Sequence, residues 1–582
     1  MLTEDLGPWT AGINNIARDH ALPKGACLDA LNVDFTDKGH AFMRTGRSQA
    51  VAIDNAHSLQ SFADTVFIGV GTTLQKITAV SPLETVTLVT DLDLRPISYA
   101  ERGGEVWWSN GVQSGRIGLN GTNLPWVPAT PGDIVEVYAG VGTLPAGMYR
   151  IAITHAMSDG EESVASEIVT YESSAAGSII VTLPAAAEGA THFNIYCTET
   201  NSAALQKYST VSAATASVTI SAPPTGRQLR ARAFMKPLPA GDLICFHGNR
   251  MLSVKGEFVY YSEPWDYGVY DPHAGFLALG VEVSIVASVE EGLFVAADKT
   301  WFYDGDDVKS ASPKEVFPFG AVPGTLFDLP GEAQKKGWYS KHGLIIGSAD
   351  GSVKLVQRDV GSVSPDGLPK PVQRGLGFIA PDAERGSAWV RWRDGQKHVV
   401  FSLTPTATYG ERVSADFLQA MALYDNDTTT MSVNLATGAT SRYSNWHMNS
   451  YAAIDGNEYG CDDVGLHLLE GQADNYDKIQ AAIDLGRLGL GSNQLKSPSN
   501  VYTWSKSSTP LIVTIAMPGG ESYDYPARTC SDDEIRLHRH DGMKGLMNSR
   551  KTWFRVVVRN DDGGAFELSS ATVLVAHSKR RI

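Results

Sequence analysis

From His57 to Gly471 the chain alternates short apolar runs with Gly/Asp/Asn turns. Val66-Phe67-Ile68-Gly69-Val70-Gly71 leads into Leu74-Gln75-Lys76-Ile77, and Glu105-Val106-Trp107-Trp108-Ser109 leads into Gly115-Arg116-Ile117. Leu243-Ile244-Cys245-Phe246-His247 is followed across Gly248-Asn249 by Arg250-Met251-Leu252 and then by Phe258-Val259-Tyr260-Tyr261. Leu293-Phe294-Val295-Ala296-Ala297 precedes Thr300-Trp301-Phe302-Tyr303, and Leu344-Ile345-Ile346-Gly347 precedes Ser352-Val353-Lys354-Leu355-Val356. Apolar runs bounded by turn residues predict strands joined by tight turns. No segment holds a 3.6-residue period between helix caps, so helices are not expected. Hairpins recurring at ~40–45 residue spacing predict a β-propeller. The two repeat stretches together allow about seven blades, with six to eight open.

The pattern breaks twice. From Pro131 onward, Gly147-Met148-Tyr149-Arg150-Ile151-Ala152-Ile153-Thr154 alternates with period two, the mark of a half-buried strand. Ser158-Asp159-Gly160-Glu161-Glu162 reads as a turn, and Ser178–Leu183, His192–Cys197 and Ala216–Ile220 as further strands. This spacing resembles a fibronectin type III-like sandwich placed between blades. The expected organisation is an extended leader (1–56), first blades (57–128), the inserted sandwich (131–228), remaining blades (229–471) and a C-terminal β-sandwich-like domain (472–582). The fold class is therefore all-β.

Composition narrows the function. The 582 residues carry 64 acidic and 48 basic side chains, a net charge of −16. That balance argues against tight, sequence-independent nucleic-acid binding, which relies on Lys and Arg neutralising phosphates. It is compatible with a conduit whose walls do not hold DNA in place. The opening Met1-Leu2-Thr3-Glu4-Asp5-Leu6 lacks the basic-then-apolar plan of a signal peptide. No run reaches the roughly 18 apolar residues of a membrane helix. The five cysteines (Cys27, Cys197, Cys245, Cys461 and Cys530) are scattered without a CxxC pair, so buried free thiols are expected.

Motifs for nucleophile elbows, P-loops, dinucleotide loops and zincin helices are absent from the sequence. His538-Arg539-His540 puts two imidazoles on one strand face, read as partly exposed histidines and not as a metal site. Asp304-Gly305-Asp306-Asp307 and Asn560-Asp561-Asp562-Gly563 are carboxylate-rich turns that match no calcium loop. Asp304, Asp306 and Asp307 stand as a candidate acidic channel or surface loop. Trp107-Trp108 and Tyr260-Tyr261 could offer a sugar platform, but adjacent residues of a strand face opposite ways, so only one of each pair can line a surface. Sialidase propellers repeat Ser-x-Asp-x-Gly-x-x-Trp; here Ser348-Ala349-Asp350-Gly351 has its glycine one place early and does not recur. No catalytic residue, cofactor or metal is assigned, and an enzyme is not expected.

The two ends of the chain carry a further pattern. The leader reads Gly12-Ile13-Asn14-Asn15, Leu22-Pro23-x-Gly25, Asn32-Val33-Asp34, Gly39 and Arg44-x-Gly46. The closing part reads Gly465–Gly471, Gly486-x-Leu488, Lys496, Val501-Tyr502, Gly519-Gly520-Glu521-x-Tyr523-x-Tyr525-Pro526-Ala527 and Ser578-Lys579-Arg580-Arg581-Ile582. Their order resembles phage virion proteins of the tail hub or nozzle type. The resemblance implies a β-propeller with added β domains, forming a ring, usually a hexamer, that prolongs the DNA exit channel below the head-to-tail adaptor. It implies as partners further copies of the chain, the adaptor, tail fibres or spikes and transiting DNA without tight binding, and leaves open the host cell surface. Such a protein belongs to the virion and is assembled in the host cytoplasm. The alternatives are a carbohydrate-binding or depolymerising propeller for host-surface recognition, or a distal tip protein of a long-tailed phage.

Overall fold

The computed structural model describes the chain apart from residues 1, 15–16, 18–20, 64, 159, 188, 230–233, 333, 357–382, 394, 406–429, 489–493, 519–520, 541–550 and 582. Met1, Asn15, Asp159, Gly519, Gly520 and Ile582, named in the motifs above, lie outside the described residues. The described residues form β-strands and no α-helix. They divide into two compact units: Met1–Leu94 with Val289–Asp304 and Pro313–Ile582, and Arg95–Ser288 with Gly305–Ser312.

The larger unit contains antiparallel meanders of the kind that builds propeller blades. Ala56–Phe62, Thr65–Val70, Thr73–Val80 and Leu83–Val89 form one. Gly71, at φ +55°, supplies the left-handed turn position between its second and third strands. Phe327–Asp328, Lys336–Ser340, Gly343–Gly347 and Val353–Leu355 form another. Gly292–Ala296, Thr300–Asp304 and Pro313–Phe317 pair in the same manner. In a further blade, Ser450–Ile454, Asn457–Asp462 and Gly465–Leu468 are completed by Ser48–Ala52 from the leader. The fold is a β-propeller, and here a leader strand closes a blade built by residues four hundred positions further along the chain.

The leader does more than close that blade. Ala383–Arg393, Gln396–Pro405, Thr430–Asn434 and Thr440–Tyr443 form a blade-like meander whose last strand borders Asp29–Leu31. Asp29–Leu31 in turn pairs with Ala482–Leu488, which continues into Phe554–Arg559, Ile512–Ala516 and Ser522–Pro526. A second sheet runs Val33–Phe35, Ala41–Met43, Phe566–Arg581, Gln494–Ser507 and Arg536–His540. One hydrophobic cluster joins Val33 and Phe35 of the leader, Val399, Phe401 and Val433 of the meander, and Ile483, Val513, Val556 and Val573 of the C-terminal part. The C-terminal strands therefore share a sheet and a core with the leader and a blade. Position 472 is a change of pattern along the chain and not a break in the packing.

In the smaller unit, Ser98–Arg102, Glu105–Ser109, Ser114–Ile117 and Asn123–Leu124 make one meander. Leu243–His247, Arg250–Lys255, Phe258–Tyr261 and Phe276–Ala278 make another. Between them in sequence lie two sheets. Glu136–Leu144, Gly177–Thr182 and Ser217–Ile220 form a three-stranded one, with Gly177–Thr182 central. Val169–Ser173, Gly147–Ala156, His192–Cys197 and Gln206–Ser212 form a four-stranded one. Ile151, Ile153, Ile179, Val181, Phe193, Ile195 and Ile220 fill the space between the sheets. The last strand, Ser217–Ile220, joins the three-stranded sheet, and the exit segment returns beside Gln206–Ser212: the Lys207 amide donates to Arg227 O (2.9 Å) and the Leu229 amide to Leu205 O (2.8 Å).

Candidate functional site

The leader motif residues converge on one buried polar seam in the larger unit. Arg44 is fully buried, and its guanidinium grips Asp474 through two bonds of 2.9 and 2.6 Å. Its Nε donates to Asn32 Oδ1 at 2.9 Å, and Nη2 donates to Ser444 O at 2.8 Å. Its face lies 4.9 Å from the Trp446 ring centroid and 5.4 Å from that of Tyr443. Arg391 stacks on Trp446 as well, at 5.2 Å, and is neutralised by Glu458 at 2.7 Å. Asn32, at φ +54°, uses its amide nitrogen to reach Ser444 Oγ and Gln480 O, both at 2.7 Å. Gly46 is required by close approach, since a Cβ there would sit 2.0 Å from the Ala473 carbonyl oxygen.

Asp34 extends the seam. It accepts from Ser432 Oγ at 2.6 Å, from Arg393 Nη1 at 3.2 Å and from the Tyr443 hydroxyl. Burial pushes its carboxyl up, yet the charges of His398 and Arg393 and these hydrogen bonds hold it below the ordinary range. Asp29 pairs bidentately with Arg442 (2.8 and 2.7 Å), and Asp484 with Arg555. Each bidentate pair leaves few unsatisfied groups, the condition under which buried charges are tolerated. Arg44, Asp34, Tyr443 and Asp474 are buried and engaged by one another and their neighbours. The chemistry of the seam is that of a clasp.

The candidate acidic loop proves mixed. Asp304 and Asp306 are exposed, but Asp307 accepts from Arg250 Nε at 2.9 Å and from the Lys309 amide at 3.1 Å. Those contacts with Arg250 and Lys309 overcome burial and lower its carboxyl from the usual value. The neighbouring Gly305 carbonyl is held by His247 Nε2 at 2.9 Å. One of the three carboxylates is thus committed to anchoring its own loop.

His538 and His540 correct the sequence reading, because both are buried and not partly exposed. His538 bridges Thr529 Oγ1 (3.0 Å) and Ser505 O (3.1 Å); His540 bridges Tyr525 O (2.8 Å) and Thr503 Oγ1 (3.0 Å). All four ring nitrogens have partners, and burial lowers His540 to about 4. The cysteines are free, with Cys27, Cys197 and Cys461 buried; Cys530 departs from expectation by being exposed. Burial lifts Cys197 and Cys461 to about 12, so neither is a ready thiolate.

The tryptophan pair is structural too. Trp107 and Trp108 are both buried; Trp107 packs with Trp126, Phe246 and Tyr267, and Trp108 donates to Asn123 Oδ1 at 2.9 Å. The inserted segment hides a carboxylate that looked like part of a turn. Glu162 Oε1 accepts from Thr154 (2.5 Å), Tyr196 (2.7 Å) and Asn194 (2.9 Å), while Oε2 faces Arg227 at 3.3 Å. Only the strand register makes these donors converge, since sequence separations reach 65 residues.

No protein-family model matches this sequence, and no curated protein does. Among solved structures, the mitotic checkpoint complex aligns at 7% identity over 74% of this chain and 94% of that chain, with a TM-score of 0.29. Streptogramin B lyase aligns at 9% identity over 73% and 97%, TM-score 0.25. The Pan2 WD40 domain of Neurospora crassa aligns at 8% over 63% and 93%, TM-score 0.26. The assignment of blades rests on the strand pairing itself, and these likenesses add no function.

Proposed function

We propose that this chain is a structural virion protein of a phage tail, a hub or nozzle subunit whose ring extends the DNA exit channel below the head-to-tail adaptor. One observation carries the reading. The leader residues that resemble tail proteins (Asn32, Asp34, Arg44 and Gly46) meet Tyr443, Ser444, Ala473 and Asp474 in one buried clasp. A motif whose purpose is to tie the chain's beginning to its last third suits a subunit that must bear load within an assembly. In a closed ring each copy uses two different patches in head-to-tail contact. The partners are then other copies of the chain, the adaptor, fibres or spikes, and passing DNA that the acidic balance of the chain does not grip. Negative-stain imaging of the purified chain and of virions tests this. Hexameric rings with a central channel are expected; monomers absent from virions would remove the proposal.

A further inference from the structure

We propose that the turn Glu263-Pro264-Trp265-Asp266, with Arg102, is a binding site for an acidic sugar, a pyranose bearing a carboxylate or phosphate. The reading is independent of ring formation and lies wholly within the smaller unit. Its first support is an outlier. Trp265 sits at φ +61°, the second central position of a turn closed by the Asp266 amide donating to Glu263 O at 3.2 Å. With Pro264 ahead of it, this is the place where glycine or asparagine belongs. A bulky residue in the left-handed region is strained, and persists where its surroundings fix it. Here the Trp265 amide donates to Asn249 O (2.9 Å) and the Glu263 amide to Val269 O (2.9 Å). The indole that this strain displays is 71% exposed. Core packing does not explain it.

The second support is electrostatic. The Arg102 guanidinium lies over three rings, 5.5 Å from Phe246, 5.7 Å from Trp265 and 5.8 Å from Tyr267. It is held there by Nη1 donating to Gly248 O at 2.9 Å. Among the described residues no carboxylate pairs with it, in a chain that has 64 of them. Phe246 and Tyr267, which carry Arg102, pack at 5.0 Å and continue through Trp107 to buried Trp126. An exposed indole presents a flat face to the apolar side of a pyranose ring, and a guanidinium with donors to spare forks onto a carboxylate or phosphate. Together they select a sugar that is both ring-shaped and anionic.

The test uses the full chain immobilised on a sensor surface. Probes are oligogalacturonate, its fully methyl-esterified form, and a phosphorylated lipopolysaccharide core oligosaccharide. Retention of oligogalacturonate above its neutral ester, or of the phosphorylated core above its dephosphorylated form, is expected and tells which anion is preferred. Trp265→Gly accepts the turn's backbone angle without strain, so it removes only the shelf; a loss of roughly tenfold or more is expected. Arg102→Gln should abolish the preference for the acidic over the neutral probe. Failure to retain either acidic probe, equal retention of acid and neutral forms, or unchanged binding by Trp265→Gly each overturns the proposal.

Discussion

Arg44 and Arg102 both lie over aromatic rings, yet they end in opposite surroundings. Arg44 covers Tyr443 and Trp446 and finishes on Asp474, with every bond direction used inside the protein. Arg102 covers Phe246, Trp265 and Tyr267 and finishes on a single carbonyl, beside an exposed indole. The contrast separates two uses of one side-chain chemistry. A guanidinium whose charge is consumed internally fixes architecture; one left with charge and donors facing outward is available to a ligand.

The sharpest way to break the comparison is to remove Arg44. Arg44→Met leaves Asp474 buried without its cation and takes one of two donors from Asn32 Oδ1, which keeps the Ser444 amide, a change expected to cost about 3–5 kcal/mol. Urea unfolding of the larger unit measures it, and the double variant Arg44→Met/Asp474→Leu should recover much of the loss through non-additivity. A cost within the range of surface ion pairs would show that the seam does not act as a clasp.

Acid probes the C-terminal strands next. Burial, with His538 nearby, depresses His540 to about 4. A histidine with a lowered folded pKa contributes stability that is complete above its ordinary value near 6.5. That stability is lost as pH falls toward about 4, because the unfolded chain binds the proton first. The expected loss across that window is at most about 3 kcal/mol. Urea midpoints from pH 7 to 4 should fall, and His540→Gln should flatten the slope. Asp34 and Asp462, whose carboxyls are held below the ordinary range, add their own losses only below about pH 4.

Glu162→Gln asks whether the two sheets between Glu136 and Ile220 have a clasp of their own. An amide oxygen can take the Oε1 place and accept from Thr154, Asn194 and Tyr196, but those bonds lose their charge and the Nε2 that replaces Oε2 faces Arg227 donor to donor, at a cost of about 1–3 kcal/mol. Faster hydrogen exchange confined to Gly147–Ala156 and His192–Cys197 is the expected signature. Exchange spreading through the larger unit would show that the two units do not melt separately.

The strand-and-turn rhythm was legible because it is local. Val66–Val70 and Leu74–Ile77 announce a hairpin from their own composition, whereas Trp107-Trp108, read as offering one ring to a surface, are both buried. The clasp was legible only as a resemblance. Asn32, Asp34 and Arg44 stood out as motif residues, but their partner Asp474 lies 430 positions away from Arg44, and nothing local couples them. Glu162 was hidden for the same reason, its donors lying on strands that only folding brings alongside. His538-Arg539-His540 misled because strand alternation says which face a side chain takes and not whether that face is covered. Trp265 did carry a signal that went unread: Pro264 followed by tryptophan, where turn chemistry asks for glycine.

That turn supplies the smallest expected effect, and its sign is opposite to the others. Replacing Trp265 by glycine removes a residue from the left-handed region and takes little packing with it, given its 71% exposure. The strain released is about 1–2 kcal/mol, partly offset by glycine's greater freedom in the unfolded chain, roughly 0.5–1 kcal/mol. Thermal unfolding of Trp265→Gly should therefore match or slightly exceed that of the parent, whereas Arg44→Met should fall far below it. A clearly destabilised Trp265→Gly would mean that the indole packs as a structural element, and the comparison between a closed clasp and an open shelf would lose its second term.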